Sequence, residues 1–289
     1  LNYRLGALGF VHLDKVCGPG FENSSNLGLR DQLAALAWVR ENIERFGGDP
    51  SNVTVCGQSA GAMSVAALLG VRSKDRFFRR AILQSGAAAN VISRSKADQI
   101  GEAFLAALGQ PARTRAALSE IPTSQILQAQ GRINRELTGV SDLMVMLPCV
   151  DGTLVPTQPL TQVRAGALRD IDLMIGTTQD EWKLFSPLEI RLPSFGRDTL
   201  SDRFSEVLQV TSPRAPGPRR AAQQYRKAVQ ERGGRTSAFE VWCAYQSARL
   251  FHLPSVALSH FSQKSQDYHT SDLLLCHPWP FPSSASSRS

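Results

Sequence analysis

The sequence predicts an α/β chain built on a parallel sheet, and three observations carry that prediction. Short apolar runs at residues 53–56, 80–84 and 172–176 have the length and composition of buried strands. Longer stretches between them place their apolar residues at helical spacing. The resulting alternation of strand and helix is that of a mostly parallel sheet covered by helices on both faces. At 289 residues the chain can bury a large core, and 42% hydrophobic with 20% charged residues is ordinary for a globular protein.

Taken in order, residues 1–10 read as a strand end and turn, and Cys17-Gly18-Pro19-Gly20 with Asn23 to Asn26 as a loop. Over residues 28–46, Leu29, Leu33, Leu36 and Ile43 recur on one side while Arg30, Arg40 and Glu44 fall mostly on the other. This is an amphipathic helix, stopped by Gly47-Gly48 and Pro50. An Ala-rich segment without proline comes after the first apolar run and predicts a helix over 60–69. Further helices are expected at 93–108, 124–137 and 159–167, a turn at 150–156, and connecting or lid material at 186–220. Residues 237–262 read as one or two helices interrupted at Pro254. From these patterns, residues 1–262 form one domain and 263–289 a divergent Ser- and Pro-rich tail.

The chemistry concentrates at Gly57-Gln58-Ser59-Ala60-Gly61, between a predicted strand and a predicted helix. A strand turning directly into a helix needs glycine where the two backbones approach, and it leaves the central serine strained with its hydroxyl exposed. Gly57 and Gly61 are the glycines of such a nucleophile elbow and Ser59 its nucleophile; the alternative is an ordinary exposed turn serine. Asp180 and Glu181 come after the third apolar run, where loops of a parallel sheet place active groups. An acidic side chain here also suits the start of the next helix, a role that fits Asp180.

The elbow, the preceding Asn26-Leu27-Gly28-Leu29-Arg30-Asp31-Gln32 and Trp38-Val39-Arg40-Glu41-Asn42-Ile43, the opening Asn2-Tyr3-Arg4-Leu5-Gly6-Ala7-Leu8-Gly9-Phe10 and the later Arg80-Ala81-Ile82-Leu83-Gln84-Ser85-Gly86 are collinear with one family. The chain resembles the type B carboxylesterases, the group that includes cholinesterases and bacterial para-nitrobenzyl esterases. The resemblance covers residues 1 to about 260 and implies an α/β-hydrolase fold lacking its first strands and its proper C-terminal part. It further implies hydrolysis of carboxylic esters by a Ser-Glu-His triad through an acyl-enzyme, with Glu181 as the acid. One oxyanion donor would be the backbone N–H of Ala60, its partners belonging to a Gly-rich loop upstream of Leu1.

For the base, His12 precedes the nucleophile and is out of the order serine, acid, histidine. His252 and His260 lie on a predicted helix, where histidine is more often a packed or surface residue. The family's Gly-x-x-His loop leading to an apolar Pro-Phe stretch is echoed, without its glycine, by Cys276-His277 before Pro280-Phe281. His277 is therefore the expected base, with His269 behind it. The residue before the nucleophile is Gln58, whereas cholinesterases commonly have glutamate there, so a quaternary ammonium substrate is not suggested. A small neutral ester held by apolar side chains such as Phe185 fits better.

Composition adds exclusions. The net charge of +7 comes from 32 basic against 25 acidic residues, and the excess sits largely at 203–235, which has few aromatics to stack bases and no groove-reading motif. A solvated face is expected there, and no nucleic acid partner. No apolar run approaches the length of a membrane span. Five cysteines are an odd number, widely spaced and without C-x-x-C, so neither zinc nor a disulfide framework is suggested. Cys56, in the first apolar strand, is expected to be a buried free thiol. A reducing, cytoplasmic setting fits these cysteines, although a chain opening in mid-fold is silent on secretion. No metal or organic cofactor is implied, and the oligomeric state is not legible. Two rival readings share the fold: a non-catalytic interaction protein and an inactive esterase fragment.

Overall fold

The computed structural model describes residues 1–71, 77–109, 113–137, 144–168, 170–185 and 217–265, together with 200, 202–205 and 207. Three strands form one parallel sheet in the order β1 (Thr54–Gln58), β2 (Arg80–Gln84), β3 (Asp172–Gly176). Their register is flush: Gln58 lies opposite Gln84, and Gln84 opposite Gly176. All three carboxyl ends therefore reach one edge together, and the residues just beyond each strand are delivered to the same place.

Side chains alternate between the faces of a strand. Ala81, Leu83 and Ile175 point to the buried face, where the helix Ala60–Leu69 brings Ala62, Val65, Ala66 and Leu69 onto the sheet. Alanines on that helix let it sit close to the strands. Helices Pro159–Arg164 and Leu253–Ser265 complete this layer through Val163 and Leu258. Burying each large apolar side chain in such a layer is worth roughly 1.5–3 kcal/mol. The helical cover expected on both faces is present, among the described residues, on this one. The opposite face carries Thr54, Cys56, Gln58 and Met174, all exposed. Cys56 is thus an exposed thiol and not the buried one expected. The apolar run gave no sign of which alternate residues would be covered.

Elsewhere the predicted helices form with small shifts. Leu27–Asn42 is followed by a 3-10 turn, Ile43–Phe46, and stopped by Gly47 at φ 80°. The helix Arg94–Leu108 is capped by the Ser93 hydroxyl, which accepts from the Lys96 N–H, and ends at Gly109 with φ 66°. It packs against Thr123–Leu137 through Ile100, Phe104, Ala129 and Ile133. The turn at 150–156 is tied by Asp151, whose carboxylate accepts from the N–H groups of Thr153 and Val155 and from the Asn26 amide.

Several expectations need correction. Residues Gly6–Phe10 form a short helix, not a strand end; Gly6 turns the chain at φ 54° and Gln130 accepts the Ala7 N–H at 2.8 Å. A helix at Arg115–Ser119 adds an element between two predicted ones. Pro218–Glu231 is a helix whose Ala221 and Val229 are buried, so part of the basic segment is amphipathic and not simply solvated. Arg203 is buried as well, its guanidinium 5.4 Å from the centre of the Trp242 ring. Pro254 does not break the last helical stretch, because the chain widens into a π turn, Ala248–His252, before Leu253–Ser265. Proline has no N–H to give the carbonyl one α turn back, and a wider turn removes the need for it. Among the described residues, no helix is long and apolar enough to cross a membrane. The tail at 263–289 lies almost wholly outside the described residues.

Candidate active site

Ser59 sits between the last residue of β1 and the first of the helix Ala60–Leu69, with φ 52° and ψ −120°. Positive φ is costly for a residue with a Cβ and persists only where the surroundings enforce it. Here the enforcement is visible. The Ser59 N–H donates to the Gln84 carbonyl at 2.9 Å, and the Ser59 carbonyl accepts from the Met63 N–H at 2.9 Å. A Cβ on Gly57 would meet the Gly61 carbonyl carbon at 2.3 Å, so only glycine lets strand and helix approach. Gly61 itself is different: a Cβ there would meet nothing within 4 Å among the described residues. A glycine outside the motif does take part, since a Cβ on Gly86 would lie 2.7 Å from the Ser59 carbonyl oxygen. The Ala60 N–H opens a helix, where the first amides have no partner within the helix and the dipole favours negative charge.

A cavity of about 360 Å³ adjoins this helix start, lined by Ala60, Met63 and Ser64 together with Leu5, Phe10, Met144 and Met146. Its walls are mainly apolar. Phe185, expected as a pocket wall, is not among them; it lies against Trp182 with ring centroids 5.2 Å apart.

Glu181 comes after β3 by a short loop and starts a 3-10 turn, Glu181–Phe185. Its carboxylate accepts the Thr178 N–H at 2.7 Å, while Asp180 pairs with Lys183 at 3.2 Å. The capping role expected of Asp180 thus falls to Glu181, whose second oxygen is left for another partner. Two further contacts hold the loop. The Trp182 N–H donates to the Ser247 hydroxyl at 2.9 Å, and His252 Nε2–H donates to the Thr178 carbonyl at 2.9 Å. Ser59 and Glu181 lie beyond the carboxyl ends of strands two apart in a flush sheet, whose last paired residues, Gln58 and Gly176, stand about 10 Å from each other in the pairing direction.

Of the histidines, His12 is buried in a separate polar cluster and His260 is exposed. His252 is buried, as expected of a packed histidine, and burial holds its pKa below the ordinary value although Glu181 pulls it upward. With Nε2–H committed to a backbone carbonyl, it clamps the acid loop. His269 and His277 lie outside the described residues. Sequence reasoning missed Gly86 and the His252 clamp. Gly86 had a readable signal, the Gln84-Ser85-Gly86 run that parallels the elbow; the His252 contact, 74 residues away in sequence, had none.

Residues 1–267 match the carboxylesterase family. The para-nitrobenzyl esterase of Bacillus subtilis is 42% identical over 186 residues, which are 64% of this chain and 37% of that protein. The acetylcholinesterase of Myxine glutinosa is 37% identical over 205 residues, 68% of this chain and 58% of that protein. Among solved structures, a Geobacillus stearothermophilus carboxylesterase aligns with a TM-score of 0.79 at 33% identity, covering 91% of this chain and 52% of its own. A para-nitrobenzyl esterase aligns with a TM-score of 0.72 at 32% identity, covering 92% of this chain and 52% of its own. The chain therefore spans about half the length of the solved relatives.

Proposed function

The chain belongs to the carboxylesterase family and has its α/β-hydrolase fold, and on that premise we propose that it carries the nucleophile and acid of a carboxylic ester hydrolase. The Ser59 hydroxyl attacks the ester carbonyl, and an imidazole takes its proton. The Ala60 N–H stabilises the oxyanion, and the alcohol leaves once that imidazole returns the proton to it. Water then releases the acid from the acylated Ser59 by the same steps. Glu181 orients the imidazole and stabilises its charged form. His277 is the proposed base, with His269 the alternative. Residues 1–262 are read as the hydrolase unit and 263–289 as a tail. The substrate is a small neutral ester whose apolar part occupies the cavity beside Ala60, and the chemistry requires no cofactor.

One observation carries the reading: Ser59 is held at positive φ at the very start of a helix whose first residues line an apolar cavity, an arrangement from which a binding surface would gain nothing. The test is a fluorophosphonate probe, which forms a covalent adduct only with an activated serine, run beside hydrolysis of para-nitrophenyl acetate. The expected result is one adduct, mapped to Ser59 by peptide sequencing and absent in Ser59→Ala. No adduct on well-folded protein would favour an interaction protein or an inactive fragment.

A further inference from the structure

A second cluster of reactive side chains lies outside the elbow and acid loop. His12, only 1% exposed, stands between the helices Asp14–Cys17 and Arg94–Leu108. The second helix comes this close because Gly101 has no side chain: a Cβ there would sit 2.3 Å from the His12 carbonyl oxygen. Asp98, one turn earlier on that helix, therefore faces the imidazole, with its Oδ1 3.2 Å from His12 Nε2. Asp14 Oδ1 contacts the same nitrogen. His12 Nε2, Asp14 and Asp98 each offer one ligand atom, and all three lie within 4.8 Å of one another.

The surroundings leave those atoms for a common partner. His12 Nδ1 is bonded to the Ser25 hydroxyl, which fixes the ring. Arg94 holds the other oxygen of Asp14 at 2.8 Å, and Lys15 approaches the other oxygen of Asp98 at 3.7 Å. His12 Nε2 and Asp98 Oδ1 are both buried, and neither makes a hydrogen bond of good geometry. A buried nitrogen aimed at two carboxylate oxygens shares with them either its own proton or a metal ion. Cys149 stands 3.9 Å from Nδ1, on the side of the ring away from Asp14 and Asp98.

We propose that His12, Asp14 and Asp98 form a binding site for a divalent transition metal, zinc by preference, with water completing the coordination. One imidazole and two carboxylates suit zinc or cobalt better than calcium or magnesium, which take oxygen alone. Ligands around tetrahedral zinc stand about 3.3 Å apart, close to the separation of His12 and Asp98; Asp14 must move outward as the ion replaces the proton. The site is independent of ester hydrolysis and uses none of its residues.

The test uses the full 289-residue chain, freed of metal with EDTA and titrated with Zn²⁺ and, separately, Ca²⁺ by calorimetry. One saturable Zn²⁺ site is expected, with no heat from Ca²⁺. Asp98→Asn, at a partly exposed position and nearly isosteric, should weaken zinc binding about tenfold or more while circular dichroism stays unchanged. The doubly substituted His269→Ala, His277→Ala chain should bind as before. In the unmutated protein labelled with ¹⁵N-histidine, Zn²⁺ should shift Nε2 of one solvent-protected histidine, a readout that needs no variant to fold. Absence of saturable binding, or affinity unchanged in Asp98→Asn, or loss of binding in the tail variant, would each overturn the proposal.

Discussion

Strands β1 and β2 end in the same residue and run into the same next one, Gln58-Ser59 and Gln84-Ser85, and both serines have positive φ, 52° and 55°. Both N–H groups reach across to the next strand, Ser59 to Gln84 and Ser85 to Gly176, each within 2.9 Å. The outcomes differ because the chain takes a different course beyond each serine. After Ser59 it enters a helix at once, which lifts the serine to the helix start beside a cavity. After Ser85 it runs on under the elbow, and Ser85 is 8% exposed. Backbone strain alone therefore does not make a nucleophile. What sets Ser59, the proposed nucleophile, apart is strain placed at a helix N-terminus next to open space.

The sharpest way to break this comparison is to exchange the fates of the two serines. Ser59→Ala should abolish phosphonate labelling and lower hydrolysis by about 10⁴-fold or more, whereas Ser85→Ala should keep the adduct. Loss of the adduct in a folded Ser85→Ala chain would put the nucleophile on the wrong strand. Next in size is Glu181→Gln, expected to reduce hydrolysis by about 10³- to 10⁴-fold with a change in stability under about 1 kcal/mol. A thermal shift with unchanged turnover would instead mean that the carboxylate only caps its own turn.

The glycines separate the two ends further. Gly57→Ala forces a side chain into helix backbone and should destabilise by about 3 kcal/mol or more in urea unfolding. Gly61→Ala meets no neighbour and should gain up to about 1 kcal/mol from helix propensity. Equal effects at the two positions would contradict the packing described. The end of β3 gives a smaller, pH-dependent signal. Burial lowers the pKa of His252, with Arg232 adding to the shift and Glu181 and Asp180 opposing it. The unfolded chain then binds the proton more readily, so stability present above about pH 6.5 is lost as the pH falls toward the lower folded value. The urea midpoint should drop on acidification, and less steeply in His252→Gln. Smallest of all, a thiol reagent should modify Cys56 in the native state and reach Cys149 and Cys243 only on unfolding.

Local chemistry made much of this legible. The second and third strands fall where apolar runs placed them, and the elbow was readable from a local pattern that joins a strand to a helix through Gly-x-Ser-x-Gly. The parts that stayed hidden depend on distant partners. Nothing near Cys56 says which sheet face is covered, and nothing near Gly6 announces the Gln130 side chain that stabilises a helical turn there. The helix at 218–231 could have been read from Ala221, Tyr225 and Val229 at four-residue spacing, but the surrounding arginines and prolines masked that narrow stripe. Asp180 and Glu181 are adjacent acids that the family resemblance already separated, but the bond from the Thr178 N–H to Glu181 and the pairing of Asp180 with Lys183 were not legible.

The wide turn at 248–252 also fixes the phase of everything after it. One extra residue in a turn rotates the rest of a helix by about 100° relative to regular α geometry. That offset lets His252 reach the Thr178 carbonyl while Leu258, further along the same rod, meets the sheet. Deleting a single residue from 248–251 would straighten the helix yet swing one of those two side chains away from its target, so the acid loop and the sheet layer are geared together through that one surplus position.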